Sequence, residues 1–207
     1  MLSLAARQSL EEATALYQGQ VAQAGVYLSG RGVTPEVAAT ARLGYVGHDN
    51  VMVGHEAYIG RLAIPFNTPT GVVDIRFRSI TEDDSPKYLS RTGADTHLYN
   101  VLAFGEDSDV IAVCEGEIDA MTAHYLCGIP AIGLSGVNGW KPFYARAFAD
   151  YRKVLVLADG DQPGRDLGKR IAQQIDTTVV VSMPEGQDVN SIFLSEGAEG
   201  VRRRVGL

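Results

Sequence analysis

The stretch "VLVLADGDQPG", residues 154–164, decides the reading of the chain. Four apolar residues, Val154 to Leu157, lead into Ala158, and Asp159 and Asp161 then flank Gly160. Two carboxylates held that close disfavour each other unless a positive charge lies between them. The stretch is therefore either a turn whose aspartates cap local backbone, or a strand end built around a divalent metal.

The same texture recurs on both sides of it. "VIAVC" (110–114), "PAIGL" (130–134) and "TVVVSM" (178–183) are short apolar runs without polar alternation. Helical spacing fills the gaps: Ile118, Met121 and Tyr125; Phe143, Ala147 and Phe148; Leu167, Ile171 and Ile175. Strands buried on both faces and separated by helices predict an α/β fold, a mainly parallel four-stranded sheet flanked by helices. Residues 1–105 read instead as a mixed α+β subdomain, so the expected boundary lies near residue 105, with a second domain over 106–207.

In that first part, "SLEEATALYQGQVAQAGVYLSGRG" (9–32) carries Leu10, Ala13, Leu16, Tyr17, Val21 and Ala24 at helical spacing, with Ser9 as the expected cap. A second helix starts with Thr34 capping and Pro35 in the first position, and Gly44 is the expected stop. "RLAIPF", "NTPTG" and "VVDIRFRSI" read as strand, turn and strand. Val73, Ile75 and Phe77 alternate with Asp74, Arg76 and Arg78, the pattern of a strand with one polar face. "TEDDSPK" (81–87) reads as an acidic, exposed loop.

In an open parallel sheet, side chains at the carboxyl ends of the strands line the binding crevice. "VIAVC" runs into Glu115, with Asp119 four residues on; "VLVLA" runs into Asp159 and Asp161; Asp188 follows the last strand. A single acid there is ordinarily a partner for a helix dipole. Three acidic clusters at neighbouring strand ends suit magnesium or manganese, which take oxygen ligands, keep waters and engage substrate phosphates. Gly116 and Gly160 leave room beside the carboxylates.

Composition sets outer limits. The 207 residues are 45% hydrophobic, enough for a substantial core. No apolar run approaches the ~20 residues of a membrane span, and the N-terminus lacks the features of a signal or transit peptide. The net charge of −7 means that any nucleic-acid contact needs a local basic patch or metal ions. Cys114 and Cys127 lie among apolar residues and read as reduced core positions of a cytoplasmic protein. Two cysteines and four histidines make no zinc-finger pattern, so zinc is not expected.

"CEGEIDAM", followed some forty residues later by "LADGDQPG", resembles the Toprim domain of DnaG-type primases, topoisomerases and certain nucleases, over about residues 109–194. "AGVYLSGRGVTPEVAATARLGYVG", "GRLAIPFNTPTGVVDIRFRS" and "SPKYLSRTGADTHLYN" resemble, in that order, the N-terminal subdomain of the DnaG-type primase catalytic core. The resemblance spans roughly residues 21–194.

That resemblance implies a template-directed RNA polymerase making short primers on single-stranded DNA from ribonucleoside triphosphates. Two magnesium or manganese ions about 4 Å apart would serve nucleotidyl transfer. Glu115, Asp159 and Asp161 resemble the principal catalytic metal ligands, Asp119 a supporting acid, and Asp188 the first acid of a late D-x-D element. The second position of that element is Asn190 here. Arg61, Arg76, Arg78 and Lys87 fall where the family keeps basic residues facing nucleotide or template. His97 and Tyr99 read as packing residues, and the C-terminal "VRRRVGL" as a solvated terminus. The layout, without a zinc-binding module or a following helical subdomain, resembles a phage-type stand-alone core, expected in the cytoplasm of a bacterium or phage-infected cell. A replicative helicase or a separate zinc-binding module would then act in trans.

Two other readings use the same residues. A Toprim nuclease would employ the carboxylates to hydrolyse phosphodiesters but would not need "RLAIPF" and "KYL". A non-catalytic replisome module that binds nucleic acid would not need the intact acids. A topoisomerase would need domains beyond 207 residues, and a haloacid-dehalogenase-type phosphohydrolase puts its Asp-x-Asp on the first core strand.

Overall fold

The computed structural model describes residues 2–81 and 85–207. Glu82, Asp83 and Asp84, the acids of the expected loop, lie outside the described residues; Thr81 and 85–87 are exposed. The chain forms two compact units, residues 1–95 and 96–207. The stretch 96–105, expected with the first part, belongs to the second. Leu98 and Ala103 join its core, and Tyr99 bridges to Gly133.

The first unit opens with α1 (Leu4–Gln18), capped by Ser3, whose hydroxyl accepts from the Ala6 amide at 3.1 Å. The cap lies six residues before the expected Ser9, because Leu4, Ala5, Ala6, Arg7 and Gln8 are all good helix formers. After a 3₁₀ turn (Val21–Ala24) come two short helices, α2 (Gly25–Gly30) and α3 (Pro35–Thr40). Thr34 caps α3 as expected. Its end is not Gly44: Arg42 adopts φ 57°, and the Leu43 amide returns to the Ala38 carbonyl at 2.8 Å. Gly44 instead lies in β1 (Gly44–Tyr45), where a Cβ would come within 2.5 Å of the Tyr17 backbone.

Strands β1, β2 (Leu62–Thr68), β3 (Gly71–Arg78) and β4 (Tyr88–Ser90) form an antiparallel sheet in sequence order. Ile75 and Phe77 enter the core against α1, and Phe77 stacks on Tyr58 at 3.8 Å. Val73 does not follow them. The register skips it between the pairs Phe66–Asp74 and Asn67–Val72, and this bulge turns Val72 inward in its place. The opposite face is not solvated either: Asp74 and Arg78 are buried, Asp74 against Arg91 at 2.7 Å.

In the second unit, β5 (Val110–Cys114), β6 (Ala131–Gly133), β7 (Lys153–Ala158) and β8 (Thr178–Ser182) form a wholly parallel sheet ordered β6-β5-β7-β8. α4 (Glu117–Met121) follows β5, α5 (Gln162–Ala172) follows β7, and α6 (Val189–Val205) follows β8. Ile111, Val113, Val154 and Val156 pack against Leu167, Ile171 and Ile175 of and after α5.

Three details depart from the expected pattern. β8 is an edge strand, so Val179 and Val180 are exposed rather than buried on both faces. Residues 142–148 form a 3₁₀ helix, whose tighter winding leaves Phe143 outside while Phe148 is buried. The C-terminal segment is the end of α6, not a solvated tail: Val201 and Val205 are buried, and Arg202 donates to the Cys127 carbonyl at 3.1 Å. Cys114 and Cys127 are free and buried. Among the described residues no helix is long and apolar enough to cross a membrane.

Ile111 is fully buried in the core with Phe148 and with Leu167 and Ile171 of α5. Ile111→Ala is expected to cost about 2–5 kcal/mol, read from chemical denaturation.

Candidate metal centre and basic cleft

The carboxylates converge at the carboxyl ends of β5 and β7. Glu115 follows β5 directly and is buried; its Oε1 accepts from the Asp159 amide at 2.9 Å, tying the two strand ends together. The contact needs a glycine on α5, since a Cβ on Gly164 would lie 2.3 Å from Glu115 Oε1. Burial pushes the Glu115 carboxyl above its usual range against the pull of the Asp159 amide, and the charge of Asp161 adds to the rise.

Asp159 is the most perturbed acid. Its pKa is pushed up to about 8, first by burial and then by Asp119, Glu115, Asp188 and Asp161. Its Oδ1 is buried and has no hydrogen-bond partner among the described residues. Gly160 lets the loop close: a Cβ there would fall 1.7 Å from the Pro184 carbonyl oxygen, and the Gly160 amide donates to the Gln187 carbonyl at 2.8 Å.

Asp161 and Asp188 open helices. Asp161 Oδ1 accepts from the Gly164 amide at 2.8 Å, and Asp188 Oδ1 from the Ser191 amide at 2.7 Å. Each spends one oxygen on its cap. Asp161 is thus a local cap, whereas Asp159 has no such role. Asp119, buried in the first turn of α4, accepts from the Asn190 amide at 3.1 Å.

All five acids expected as metal ligands thus act on Asp159 or are Asp159 itself. Among the described residues, no group of three His, Cys, Asp or Glu side chains forms a ready-made cage. The donor set fits a hard cation all the same. It is all oxygen, its charges crowd one another, and it holds a buried carboxylate oxygen without a partner. Mg²⁺ typically binds through one or two carboxylates and keeps its waters.

The basic residues lie in the first unit. Arg78, Lys87 and Arg31 line a cleft of about 560 Å³ with Tyr27, Ser79 and Thr81. Arg78 Nη1 donates to the Tyr88 hydroxyl, and its guanidinium lies over the rings of Tyr27 (5.7 Å) and Tyr88 (4.9 Å). Arg76 shares that face, 4.2 Å from the Tyr88 ring centre. Arg61 is not in the cleft lining; it is buried and donates to the Pro86 carbonyl at 2.8 Å, next to Lys87. Sequence reasoning missed Tyr27 and Arg31, whose i, i+4 spacing was the available signal, and the whole partnership of Asn190.

A family model of the Toprim domain matches residues 110–199, the part that carries all five acids. Gene 57 protein of Mycobacterium phage D29 is 41% identical over 72% of this chain and 99% of its own length. A DNA primase of Pseudomonas aeruginosa is 25% identical over 86% of this chain and 33% of its own. The structure of the DnaG catalytic core superposes with a TM-score of 0.81 at 23% identity, covering 97% of this chain and 79% of that one. This chain belongs to the family of that phage protein, carries a Toprim domain and has the fold of the DnaG catalytic core. A DnaG primase catalytic domain bound to single-stranded DNA matches with a TM-score of 0.78 at 21% identity, over 97% of this chain and 78% of that one. The chain spans about a third of the Pseudomonas primase.

Two outcomes follow from the acidic crowding. Because the folded Asp159 carboxyl sits near 8 rather than 3.8, the folded protein holds a proton that the unfolded chain has released. Metal-free stability therefore falls as pH rises from about 4 to about 8. Asp159→Asn should flatten that decline and raise the melting temperature in EDTA at pH 8. Gly160→Ala should cost about 1–3 kcal/mol by forcing the 159–161 and 183–187 segments apart, measured by urea unfolding.

Proposed function

We propose that the chain is the catalytic core of a DNA primase, synthesising short RNA primers on single-stranded DNA by two-metal-ion nucleotidyl transfer. The observation that carries this reading is the half-buried Asp159, whose buried Oδ1 has no hydrogen-bond partner among the described residues and which four other carboxylates of a Toprim domain act on. The DnaG-core fold over nearly the whole chain supports primer synthesis over nuclease activity.

On this reading Glu115, Asp159 and Asp161 are the catalytic ligands for Mg²⁺ or Mn²⁺, with Asp119 and Asp188 completing the set. When bound, such ions supply Lewis acidity for attack by a 3′-hydroxyl and neutralise charge on the departing pyrophosphate. Glu115 holds the spacing of the set by gripping the Asp159 amide. Asp161 and Asp188 keep their orientation because each is locked as a cap.

Arg78 and Lys87 hold the phosphates of the incoming nucleotide or the template, a role for which a charged donor in a cleft is suited. Arg76 keeps Tyr88 in place, and Arg61 fixes the turn that carries Lys87. The template and the ribonucleoside triphosphates are the direct partners. A replicative helicase or a separate zinc-binding module would assist in trans, inside a bacterial or phage-infected cell. The phage relative and the buried free cysteines support that setting.

The test is incubation of the full chain with single-stranded DNA, Mg²⁺ or Mn²⁺ and labelled ribonucleotides. A ladder of short, template-dependent RNAs is expected, and Asp159→Ala/Asp161→Ala should abolish it. Shortening of the DNA with no synthesis would make the chain a nuclease. Metal binding with neither product, even with an added primer or helicase, would make it a non-catalytic module. Lys87→Ala is expected to raise the KM for ribonucleotides about tenfold or more, as loss of one charge-assisted contact would.

A further inference from the structure

Asn190 stands where the family resemblance places a second acid of the late D-x-D element. The structure gives that position work a carboxylate cannot do. Asn190 is fully buried on the first turn of α6. Its backbone N–H donates to Asp119 Oδ1 at 3.1 Å, and its side-chain Nδ2 donates to Thr122 Oγ1 at 2.9 Å. Thr122 is also fully buried, and its hydroxyl donates to the Ile118 carbonyl at 2.8 Å.

The direction of this chain of bonds is determined. A hydroxyl has one proton, and Thr122 has given it to Ile118. Towards residue 190, Thr122 Oγ1 can therefore only accept, so residue 190 must donate. An amide donates; an ionised carboxylate does not. An aspartate here would set lone pair against lone pair in a site without water, and would place a buried charge beside Asp119.

We propose that Asn190 is a positioning residue for Asp119, and that the ligand set of this chain is five carboxylates rather than six. The side-chain bond to Thr122 locks the start of α6 onto α4, and that lock sets the Asn190 amide against Asp119. Asp119 reaches the metal set from a helix, with no strand end to hold it. The distance between α4 and α6 is what its placement depends on. The proposal rests on the metal reading of the acidic cluster.

The experiment is Mn²⁺ binding to the full chain by isothermal titration calorimetry, with thermal unfolding in EDTA alongside. The variants are Asn190→Asp, which restores the family's acid, and Thr122→Val, which removes the acceptor and touches no proposed ligand. Both are expected to weaken Mn²⁺ binding, by roughly 10- to 100-fold as for other residues that orient metal ligands. In Asn190→Asp the loss would come despite an added carboxylate. If Asn190→Asp does not fold, Thr122→Val alone decides.

Tighter Mn²⁺ binding or an extra equivalent in Asn190→Asp would overturn the proposal. So would variants of lower melting temperature with unchanged Mn²⁺ affinity, which would leave Asn190 as ordinary core. A wild-type chain that binds no Mn²⁺ would remove the metal reading itself, a failure distinct from the other two.

Discussion

The bond from the Asp159 amide to Glu115 Oε1 is the constraint on which the second unit depends. It joins the carboxyl ends of adjacent parallel strands at the point where their acids would otherwise push apart. A backbone donor is available there because Asp159 lies just beyond β7, where the strand ladder no longer uses its amide. Every neighbour is shaped to that contact. α5 presents a glycine where any side chain would strike the carboxylate, and the loop after β8 closes over Gly160 where any Cβ would strike a carbonyl.

The site is assembled at a thermodynamic cost. Glu115 and Asp119 are buried and Asp159 and Asp188 half-buried, and four acids raise the pKa of Asp159 together with its burial. Around them the protein supplies neutral support: amides for Glu115, Asp119, Asp161 and Asp188, and the hydroxyl–amide relay through Thr122 and Asn190. Under the proposed function, such an arrangement keeps carboxylate charge available to divalent cations. The strands that carry it are buried throughout in β5 and from Val154 onward in β7.

In the first unit the physical logic differs. Aromatic rings and carbonyls are among the groups that hold the basic residues there. Arg76 and Arg78 share the Tyr88 ring, Arg78 also meets Tyr27, and Arg61 is spent on the Pro86 carbonyl. Rings and carbonyls orient a guanidinium without cancelling its charge as a carboxylate would. Arg78 and Lys87 line the cleft with Arg31.

The parallel sheet, the acids at its strand ends and the capping of α3 by Thr34 were legible in the sequence, because each is a local matter. Apolar runs, residue types at fixed offsets and cap residues are set by neighbours along the chain. Less was legible where distant segments decide. A bulge between β2 and β3 exchanged Val73 for Val72, and one such shift reverses which side chains face the core. The burial of Arg61, Asp74 and Arg78 depended on partners up to 25 or more residues away, which alternation cannot report. Asn190 is the sharpest case. By itself the sequence determined that an acid was missing from the D-x-D position. Only the tertiary structure decided why, since the direction of a hydrogen bond to Thr122, 68 positions earlier, admits a donor there and refuses a carboxylate.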